Sequence, residues 1–409
     1  VGVAGQVRYS TANEKCIDLV LYVNGVPVAT VELKTDFTQS VRDAVDQYRF
    51  DRLPKTKSGP VEPLLAFPGG ALVHFAVSNR EVEMTTRLDG PATRFLPFIR
   101  GVHGGKGNPS EGLGHPTAYL WEEVWQRDSW LEILGRYMVT KRDAKKRITG
   151  AILPRSQQLD ATRKLSAKVR EEGPGGRFLV QHSAGSGKTN SIAWSAHFLS
   201  ELHDAYDNKL FSSVIVVSDR NVIDSQLQEA LFDFQRVQGV VETIKSESGS
   251  KSGQLAKALA AGKKVIVCTI QTFPFAIEAV RDLAATEGKA FAVIADEAHS
   301  SQTGEAAAKL KELLSAEEAA ALADGGEVSN EDILAAKMAG RASDKGITYV
   351  AFTATPKAKT IELFGRPGPD GLPVPFHVYS MRQAIEEGFI LDVLKNYTPY
   401  RLAFRLAHN

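Results

Sequence analysis

Several features that would mark a special class of protein are scarce or missing from this sequence. It has 2 cysteines in 409 residues, Cys16 and Cys268, and both lie in apolar, strand-like surroundings, so we expect reduced core thiols rather than a disulfide. No group of cysteines and histidines has the spacing of a zinc site. No apolar run approaches the roughly 20 residues that cross a membrane, and no signal peptide is visible. These absences favour a cytoplasmic protein without a membrane anchor.

An excess of charge of one sign is missing as well. Positive and negative side chains nearly cancel, leaving a net charge of +1, so any attraction to nucleic acid must come from local patches. Apolar residues make up 43% of the chain, which is enough for ordinary globular cores, and the length predicts roughly two or three domains. Composition therefore leaves the function to be inferred from the motifs.

A glycine-rich segment follows an apolar run over residues 178–182 that predicts a buried strand. A glycine-rich turn from strand to helix points backbone N–H groups inward and forms an anion nest for phosphates. Here the segment consists of Gly185, Ser186, Gly187, Lys188 and Thr189. Lys188 can then reach the β- and γ-phosphates of a nucleotide, and the Thr189 hydroxyl can bind Mg²⁺. The strict pattern has glycine where this chain has His182, so the match is imperfect.

Two carboxylates follow a second apolar run. Residues 291–295 predict a buried strand that leads into Asp296 and Glu297. Carboxylates at the end of a buried strand are costly unless they face a metal or water. We expect Asp296 to hold Mg²⁺ through its water shell and Glu297 to orient and deprotonate an attacking water. The alternative is an acidic helix N-terminus stabilised by the helix dipole.

A third apolar run, over residues 347–352, is followed by Thr353-Ala354-Thr355-Pro356. In this order, the glycine-rich loop, the Asp-Glu-Ala-His box and the Thr-Ala-Thr segment resemble the motifs of superfamily 2 helicases and translocases. The alternation of strands and helices from 177 to 356 predicts a parallel α/β sheet. The resemblance implies that this sheet is a RecA-like P-loop motor lobe.

Other segments fit the same resemblance. Residues 214–220 and 264–272 are similar to strands whose ends contact the nucleic-acid backbone in this superfamily, and plain core strands are the alternative. Residues 153–161 resemble the Q motif, in which a glutamine amide reads the adenine edge. Gln158 is the better match to this motif and Gln157 the alternative. A glutamine suits adenine because its amide can donate and accept at once, as adenine's N6 and N7 groups require.

The first 150 residues contain a second group of charged side chains, on a predicted hairpin. A strand-like run, an Asn24-Gly25 turn and a returning strand over residues 26–34 predict the hairpin. Side chains two apart share a strand face, so Glu32 and Lys34 point the same way, and the turn places Asp18 opposite Glu32. Two carboxylates and an ammonium there can bind a divalent metal and hold a water for attack on a phosphodiester. A charged edge strand is the alternative.

The order of these two groups resembles the motor (R) subunit of type I restriction enzymes, in which a PD-(D/E)xK nuclease precedes a superfamily 2 translocase. Specific agreement is found over residues 32–34, 119–124, 181–189 and 296–299. The resemblance implies that Asp18 and Glu32 are Mg²⁺ ligands. It also implies that Lys34 orients the water or stabilises the charge of the transition state.

One departure from the family concerns the helix after the hairpin. Related nucleases often carry Gln and Tyr four residues apart, whereas here Gln47 and Tyr48 are adjacent. Neighbours on an α-helix point about 100° apart. We therefore keep Gln47 as an open candidate for the site and expect Tyr48 to point away from it.

The resemblance implies an ATP- and Mg²⁺-dependent enzyme that moves along double-stranded DNA and cleaves it, together with methyltransferase (M) and specificity (S) subunits. We expect a nuclease domain over 1–148, a first RecA-like lobe over 149–378 and a bridge over 379–409 toward a second lobe. No second set of motor motifs is present, so we expect an N-terminal fragment of a longer subunit. Two alternatives remain open: a DNA helicase or remodeller with a non-catalytic DNA-binding N-terminal domain, and a nucleotide-switched interaction module.

Overall fold

The fold is taken from a computed structural model, which describes residues 1–55, 59–110, 114–218, 224–234, 239–244, 251–269, 273–296 and 346–392. Within these ranges the chain forms a six-stranded sheet near the N-terminus and a seven-stranded sheet further on. Helices accompany both sheets. The mixed α/β class predicted from the sequence is therefore confirmed.

The N-terminal sheet is built from strands that pair in the order in which they occur along the chain. They are β1 (Gly2–Arg8), β2 (Cys16–Val23), β3 (Val26–Leu33), β4 (Val73–Val77), β5 (Val82–Thr85) and β6 (Leu96–Pro97). Neighbours are antiparallel except β3 and β4, which are parallel. Parallel strands need a long crossover, and here it includes helix α1 (Val41–Asp46).

The β2–β3 hairpin has the predicted turn and register. Both turn residues, Asn24-Gly25, have positive φ, at 50° and 79°, which suits the Asn-Gly turns that match the twist of a hairpin. The register pairs Leu19 with Val31. The next step along the two strands places Asp18 opposite Glu32.

Short elements connect the two sheets. They are the π-helical turns Gln47–Asp51, Leu120–Val124 and Ile133–Tyr137, the helix α2 (Arg127–Glu132), and the antiparallel hairpin of β7 (Val139–Arg142) and β8 (Ile148–Ile152). Helix α3 (Ser156–Glu172) then leads into the second sheet.

The second sheet is parallel throughout. Its strands are β9 (Arg177–His182), β10 (Ser213–Ser218), β11 (Val241–Thr243), β12 (Val265–Thr269), β13 (Phe291–Asp296), β14 (Ile347–Thr353) and β17 (His377–Tyr379). A separate small hairpin, of β15 (Arg366–Pro367) and β16 (Pro373–Val374), lies between β14 and β17 in the chain. Across the sheet the order is β11-β12-β10-β13-β14-β9-β17. The helices are α4 (Lys188–Ser200), α5 (Asp224–Phe234), α6 (Lys251–Ala260), α7 (Phe273–Glu287), α8 (Ala358–Phe364) and α9 (Met381–Glu386).

One apolar cluster extends from the first sheet to the second. It includes Phe75 of β4, Trp130 of α2 and Trp194 of α4. The Trp194 indole donates to the Tyr137 carbonyl oxygen at 3.0 Å, and the Tyr137 ring contacts Phe198 edge-on, with centroids 4.7 Å apart. The two sheets therefore share packed side chains. No helix in the described ranges is long and apolar enough to cross a membrane.

A buried histidine in β4 is expected to make the stability of the N-terminal sheet depend on pH. The Nδ1 atom of His74 lies 2.7 Å from the Thr30 hydroxyl, and burial lowers the pKa of His74 to about 3, compared with about 6.5 in an unfolded chain. Because the folded pKa is the lower one, neutral His74 contributes stability that is fully present above the unfolded pKa. That stability is lost as the pH falls toward the folded pKa.

We expect the His74→Asn variant to lose this part of the pH dependence. Between about pH 6 and pH 4, the free energy of unfolding should fall more steeply for the wild type than for the variant. The difference in slope should be up to about 1.4 kcal/mol per pH unit. Urea unfolding of both proteins across this range measures the difference. Carboxylates titrate in both proteins, so their contributions to the two slopes largely cancel. Equal slopes would contradict a buried neutral ring.

Candidate functional sites

The glycine-rich loop joins the end of β9 to the start of α4. Gly185 and Gly187 have φ values of 72° and 78°, a conformation that glycine adopts without steric cost. A Cβ on Gly187 would lie 2.6 Å from the Gln158 Nε2 atom, and a Cβ on Gly185 would lie 3.2 Å from the Phe389 carbonyl oxygen. Both positions therefore require glycine for their conformation and for the close approach of their neighbours.

The other predicted phosphate and magnesium ligands lie at the same edge of the parallel sheet. Lys188 begins α4, and its ammonium lies 3.3 Å from the His182 carbonyl oxygen. Thr189 follows in the first turn of α4. Asp296 ends β13 half-buried, in register with Phe352 of β14, and β14 separates β13 from β9. In open α/β folds, ligands bind at this carboxyl edge of the strands.

The two glutamines of the predicted Q motif are buried in the first turn of α3. The Gln158 Nε2 atom donates to the Gly187 carbonyl oxygen at 2.9 Å, and its Oε1 accepts from the Arg155 N–H at 2.9 Å. Gln157 Nε2 donates to the Ser186 carbonyl oxygen at 3.4 Å. Each end of the Gln158 amide thus makes one bond within the protein, which leaves the second N–H of Nε2 and the second lone pair of Oε1 for a ligand.

Arg155 is a residue of this site that the motifs missed. Its Nη2 donates to the Gly185 carbonyl oxygen at 2.9 Å, and its guanidinium carbon lies 4.0 Å from the centroid of the Phe389 ring. Its Nη1 is buried without a hydrogen-bond partner among the described residues. The only sequence signal was its place directly before the helix of the Q-like motif. Arg155 therefore brings an unused donor to the loop.

The departure from glycine at position 182 has a structural reason. His182 is buried, and its Nε2 lies 2.8 Å from His377 Nδ1, while His377 Nε2 lies 3.0 Å from Asp160 Oδ2. Burial lowers the pKa of His182 well below its usual value, so the ring is neutral. Burial would raise the pKa of Asp160, but hydrogen bonds from His377 and Lys164 lower it to about 2. This chain of side chains connects β9, β17 and α3 behind the glycine-rich loop.

A cavity of about 440 Å³ opens beside the loop. Arg155, Gln158 and Gly185 line one side of it. Thr86 and Arg94, which belong to the N-terminal part of the chain, line the other side. The volume falls within the roughly 300–1,000 Å³ of small-molecule sites, and the N-terminal sheet therefore borders the space next to the loop.

The second candidate site is the charged end of the β2–β3 hairpin. Asp18 is half-buried, and its Oδ2 accepts from the Leu33 N–H at 2.8 Å. Its Oδ1 accepts from Gln6 at 3.3 Å. Glu32 is fully buried, and Lys34 is half-buried directly after β3. The structure thus brings the predicted carboxylates together at one end of the hairpin, with Lys34 close by in the chain.

One cation neutralises part of the Glu32 carboxylate. Arg52 Nε donates to Glu32 Oε1 at 2.7 Å, while Glu32 Oε2 is buried without a hydrogen-bond partner among the described residues. Burial raises the pKa of Glu32 to about 7, the Arg52 guanidinium opposes this shift, and the nearby Asp18 carboxylate adds to it. A buried acceptor without a partner is unusual in a native protein, and a bound cation would satisfy it.

The donor set at the hairpin fits magnesium. In the described part of the chain, no three acidic, histidine or cysteine side chains cluster as a complete metal site. Magnesium in proteins is commonly held by one or two carboxylates and completes its octahedron with water or phosphate oxygens. Asp18 and the unpartnered Oε2 of Glu32 provide such a pair.

Gln47 and Tyr48 lie differently from the α-helical prediction. Helix α1 ends at Asp46, and a π-helical turn begins at Gln47. Tyr48 is fully buried and its hydroxyl lies 2.8 Å from the Thr30 hydroxyl, on the strand face that also carries Glu32. The expectation that Tyr48 points away was therefore wrong. Gln47 Oε1 is buried without a partner among the described residues.

Some predicted residues cannot be placed. Glu297, the second carboxylate of the acidic box, lies outside the described residues. The same holds for Asp219, Arg220 and Thr272, which we expected near the DNA backbone.

Two family models match separate parts of the chain. Residues 1–93 match the type I restriction enzyme R protein N terminus, and residues 157–323 match the SWI2/SNF2 ATPase. Together the matches cover more than half of the chain, and each falls on one of the two main sheets.

Individual relatives are distant. The type I restriction enzyme HindI endonuclease subunit of Haemophilus influenzae is 24% identical over 306 residues, which are 73% of this chain and 27% of that subunit. The chain thus spans about a quarter of that curated relative's length.

Two solved structures are similar at low scores. A fragment of a candidate HsdR subunit of a type I restriction enzyme from Vibrio vulnificus YJ016 has a TM-score of 0.34 at 15% identity, over 94% of this chain and 55% of that one. A nuclease-deletion mutant of the type ISP restriction-modification enzyme LlaGI, in complex with a DNA substrate mimic, has a TM-score of 0.30 at 17% identity, over 61% and 21%. Superpositions this loose do not establish a shared fold.

The two family matches, in this order in one chain, agree with the relationship to the HindI subunit. Together they support a type I restriction enzyme R subunit, with a match to the R-protein N terminus followed by a match to the SWI2/SNF2 ATPase.

Proposed function

We propose that this chain couples ATP hydrolysis to movement along double-stranded DNA and to Mg²⁺-dependent cleavage of that DNA. The observation that carries the proposal is the convergence of Asp18 and Glu32 at one hairpin end, in the same chain as a glycine-rich loop at the edge of a parallel sheet. A binding module would not need two carboxylates, one of them buried with an oxygen that has no hydrogen-bond partner in the described part of the chain.

At the motor site, the chain's own residues would hold the nucleotide. The loop of Gly185, Ser186 and Gly187 would wrap the phosphates, and Lys188 would neutralise their charge. Thr189 and Asp296 would hold Mg²⁺, which supplies positive charge to the transferring phosphoryl group. Gln158 stays the proposed adenine contact, and Glu297 the proposed residue that orients the attacking water.

At the nuclease site, Asp18 and Glu32 would hold Mg²⁺, which supplies a Lewis acid for the phosphodiester. Lys34, two residues after Glu32 in the sequence, would orient the attacking water or stabilise the negative charge of the transition state. The PD-(D/E)xK assignment of this domain rests on these three residue types and on their order in the hairpin.

The proposed domain boundaries fall within regular structure. The junction between the nuclease domain (1–148) and the motor lobe (149–378) lies in the β7–β8 hairpin. The junction with the bridge (379–409) lies in β17, which pairs with β9 of the parallel sheet. Helix α9, just beyond β17, also touches the N-terminal part, because Glu386 accepts from the Lys106 N–H at 2.7 Å. Because the junctions lie in paired strands and α9 contacts the N-terminal part, a movement of the motor lobe would be transmitted to the nuclease domain.

The two family matches and the relationship to the HindI subunit support the rest of the proposal. Double-stranded DNA is the proposed substrate, M and S subunits are the proposed partners that choose the DNA sequence, and the cytoplasm is the proposed place of action. The two experiments that follow therefore use the full R subunit in the assembled enzyme, on long DNA with a recognition site.

The first experiment separates cleavage from ATP hydrolysis. Asp18→Asn and Glu32→Gln each remove a charged metal ligand, and Lys34→Ala removes the ammonium. We expect each to slow double-strand cleavage by roughly 10²–10³-fold, with ATP hydrolysis unchanged because the motor site is untouched. Asp36→Asn, at an exposed residue of the next turn, serves as the matched control. Wild-type cleavage rates in all three variants would remove the nuclease assignment.

The second experiment tests coupling of the two sites. Lys188→Ala removes the proposed phosphate contact, so we expect ATP hydrolysis, translocation and double-strand cleavage to fall to background together, although the hairpin is intact. Lys168→Ala, at a half-buried lysine of α3 paired with Glu171 at 2.9 Å, should behave as wild type. Translocation by displacement of a DNA-bound probe and cleavage on gels provide the readouts. A Lys188→Ala enzyme that still cuts at the normal rate would show that the sites are independent.

A further inference from the structure

Arg52 is an unexpected member of the hairpin site. It lies directly after the π-helical turn and is only 8% exposed. Its Nε donates to Glu32 Oε1 at 2.7 Å, and its Nη2 donates to the Cys16 carbonyl oxygen at 2.9 Å. Its guanidinium carbon also lies 5.5 Å from the centroid of the Tyr9 ring. Three separate contacts therefore fix the guanidinium in a buried position.

These contacts determine which oxygen of the Glu32 carboxylate is left to bind a ligand. Because Arg52 bonds to Oε1, the oxygen left over is Oε2, which is buried and has no hydrogen-bond partner among the described residues. Asp18 stands opposite Glu32 in the hairpin and is itself oriented by the Leu33 N–H. Both carboxylates are thus held by neighbours before any metal arrives.

We propose that Arg52 is a positioning residue for the hairpin metal site. By holding Oε1, it directs Oε2 of Glu32 toward the space shared with Asp18, where a divalent cation would bind. The inference rests on the proposed nuclease function. Partners that orient metal ligands in this way typically change metal affinity 10–100-fold when they are replaced.

Two other roles for Arg52 lead to different results. If the guanidinium stands in for the metal, it must leave before the metal binds, and its removal would strengthen metal binding. The three contacts argue against such a movement, because a guanidinium fixed by a carboxylate, a backbone carbonyl and an aromatic ring is costly to displace. If Arg52 only stabilises the fold, its replacement would leave metal affinity unchanged.

The experiment measures Mn²⁺ binding to the chain without nucleotide, by electron paramagnetic resonance of the free ion. Asp18→Ala identifies the binding that depends on the hairpin, and binding that persists in this variant is assigned elsewhere. The test variants are Arg52→Gln, which removes the charge, and Arg52→Lys, which keeps the charge but loses the two-pronged geometry. Matched controls are Arg49→Gln and Arg49→Lys. Arg49 lies within the π-helical turn that precedes Arg52, but it donates to the Thr93 carbonyl oxygen at 3.0 Å.

We expect Arg52→Gln to weaken the Asp18-dependent Mn²⁺ binding about 10–100-fold. Arg52→Lys should lie between Arg52→Gln and wild type, and both Arg49 variants should bind as wild type. If Arg52→Gln does not fold, the comparison of Arg52→Lys with Arg49→Lys decides the question. Tighter or unchanged binding in the folded Arg52 variants would overturn the inference while leaving the proposed metal site in place. A wild-type chain without any Asp18-dependent binding would overturn both.

Discussion

A buried charge must be compensated by its neighbours, and the Glu32 carboxylate imposes this constraint on the N-terminal sheet. Removing one partner of a buried ion pair typically costs about 3–5 kcal/mol. The crossover after β3 brings Arg52 back to this carboxylate, through α1 and a π-helical turn. The same turn buries Tyr48 against Thr30. The π-helical turn and the ion pair are thus parts of one arrangement, which leaves the Oε2 atom of Glu32 without a hydrogen-bond partner among the described residues.

In the motor lobe, the groups that need partners are backbone carbonyl oxygens of the glycine-rich loop rather than a buried charge. A loop that exposes its N–H groups to a phosphate must bond its carbonyl oxygens elsewhere. Arg155 and Gln158 take two of these carbonyls, at Gly185 and Gly187. The neutral ring of His182 joins the end of β9 to its neighbours. Side chains from the first turn of α3 therefore prepare the loop, and a nucleotide entering the adjacent cavity would meet a surface that is already shaped.

Local sequence patterns predicted the elements but not the contacts between them. The Asn24-Gly25 turn and the alternation in β3 were sufficient for the hairpin and its register, and apolar runs between helical segments predicted the parallel sheet. Arg52 could not be found in this way, because it pairs with a residue 20 positions away and belongs to no motif. Periodicity also assumed a regular α-helix at Tyr48, whereas tertiary packing favoured a π-helical turn. The roles of the site residues and the domain boundaries stay predictions.

We propose that one chain carries two separate metal-dependent centres, one for DNA cleavage and one for ATP hydrolysis. The most direct measurement is anomalous diffraction from crystals of the chain grown with Mn²⁺ and a non-hydrolysable ATP analogue. We expect one manganese peak between Asp18 and Glu32, in contact with Oε2 of Glu32. We expect a second peak beside Thr189 and Asp296, next to the nucleotide phosphates. A map with manganese at the nucleotide alone, and with Glu32 still contacting only Arg52, would contradict the proposal of two centres.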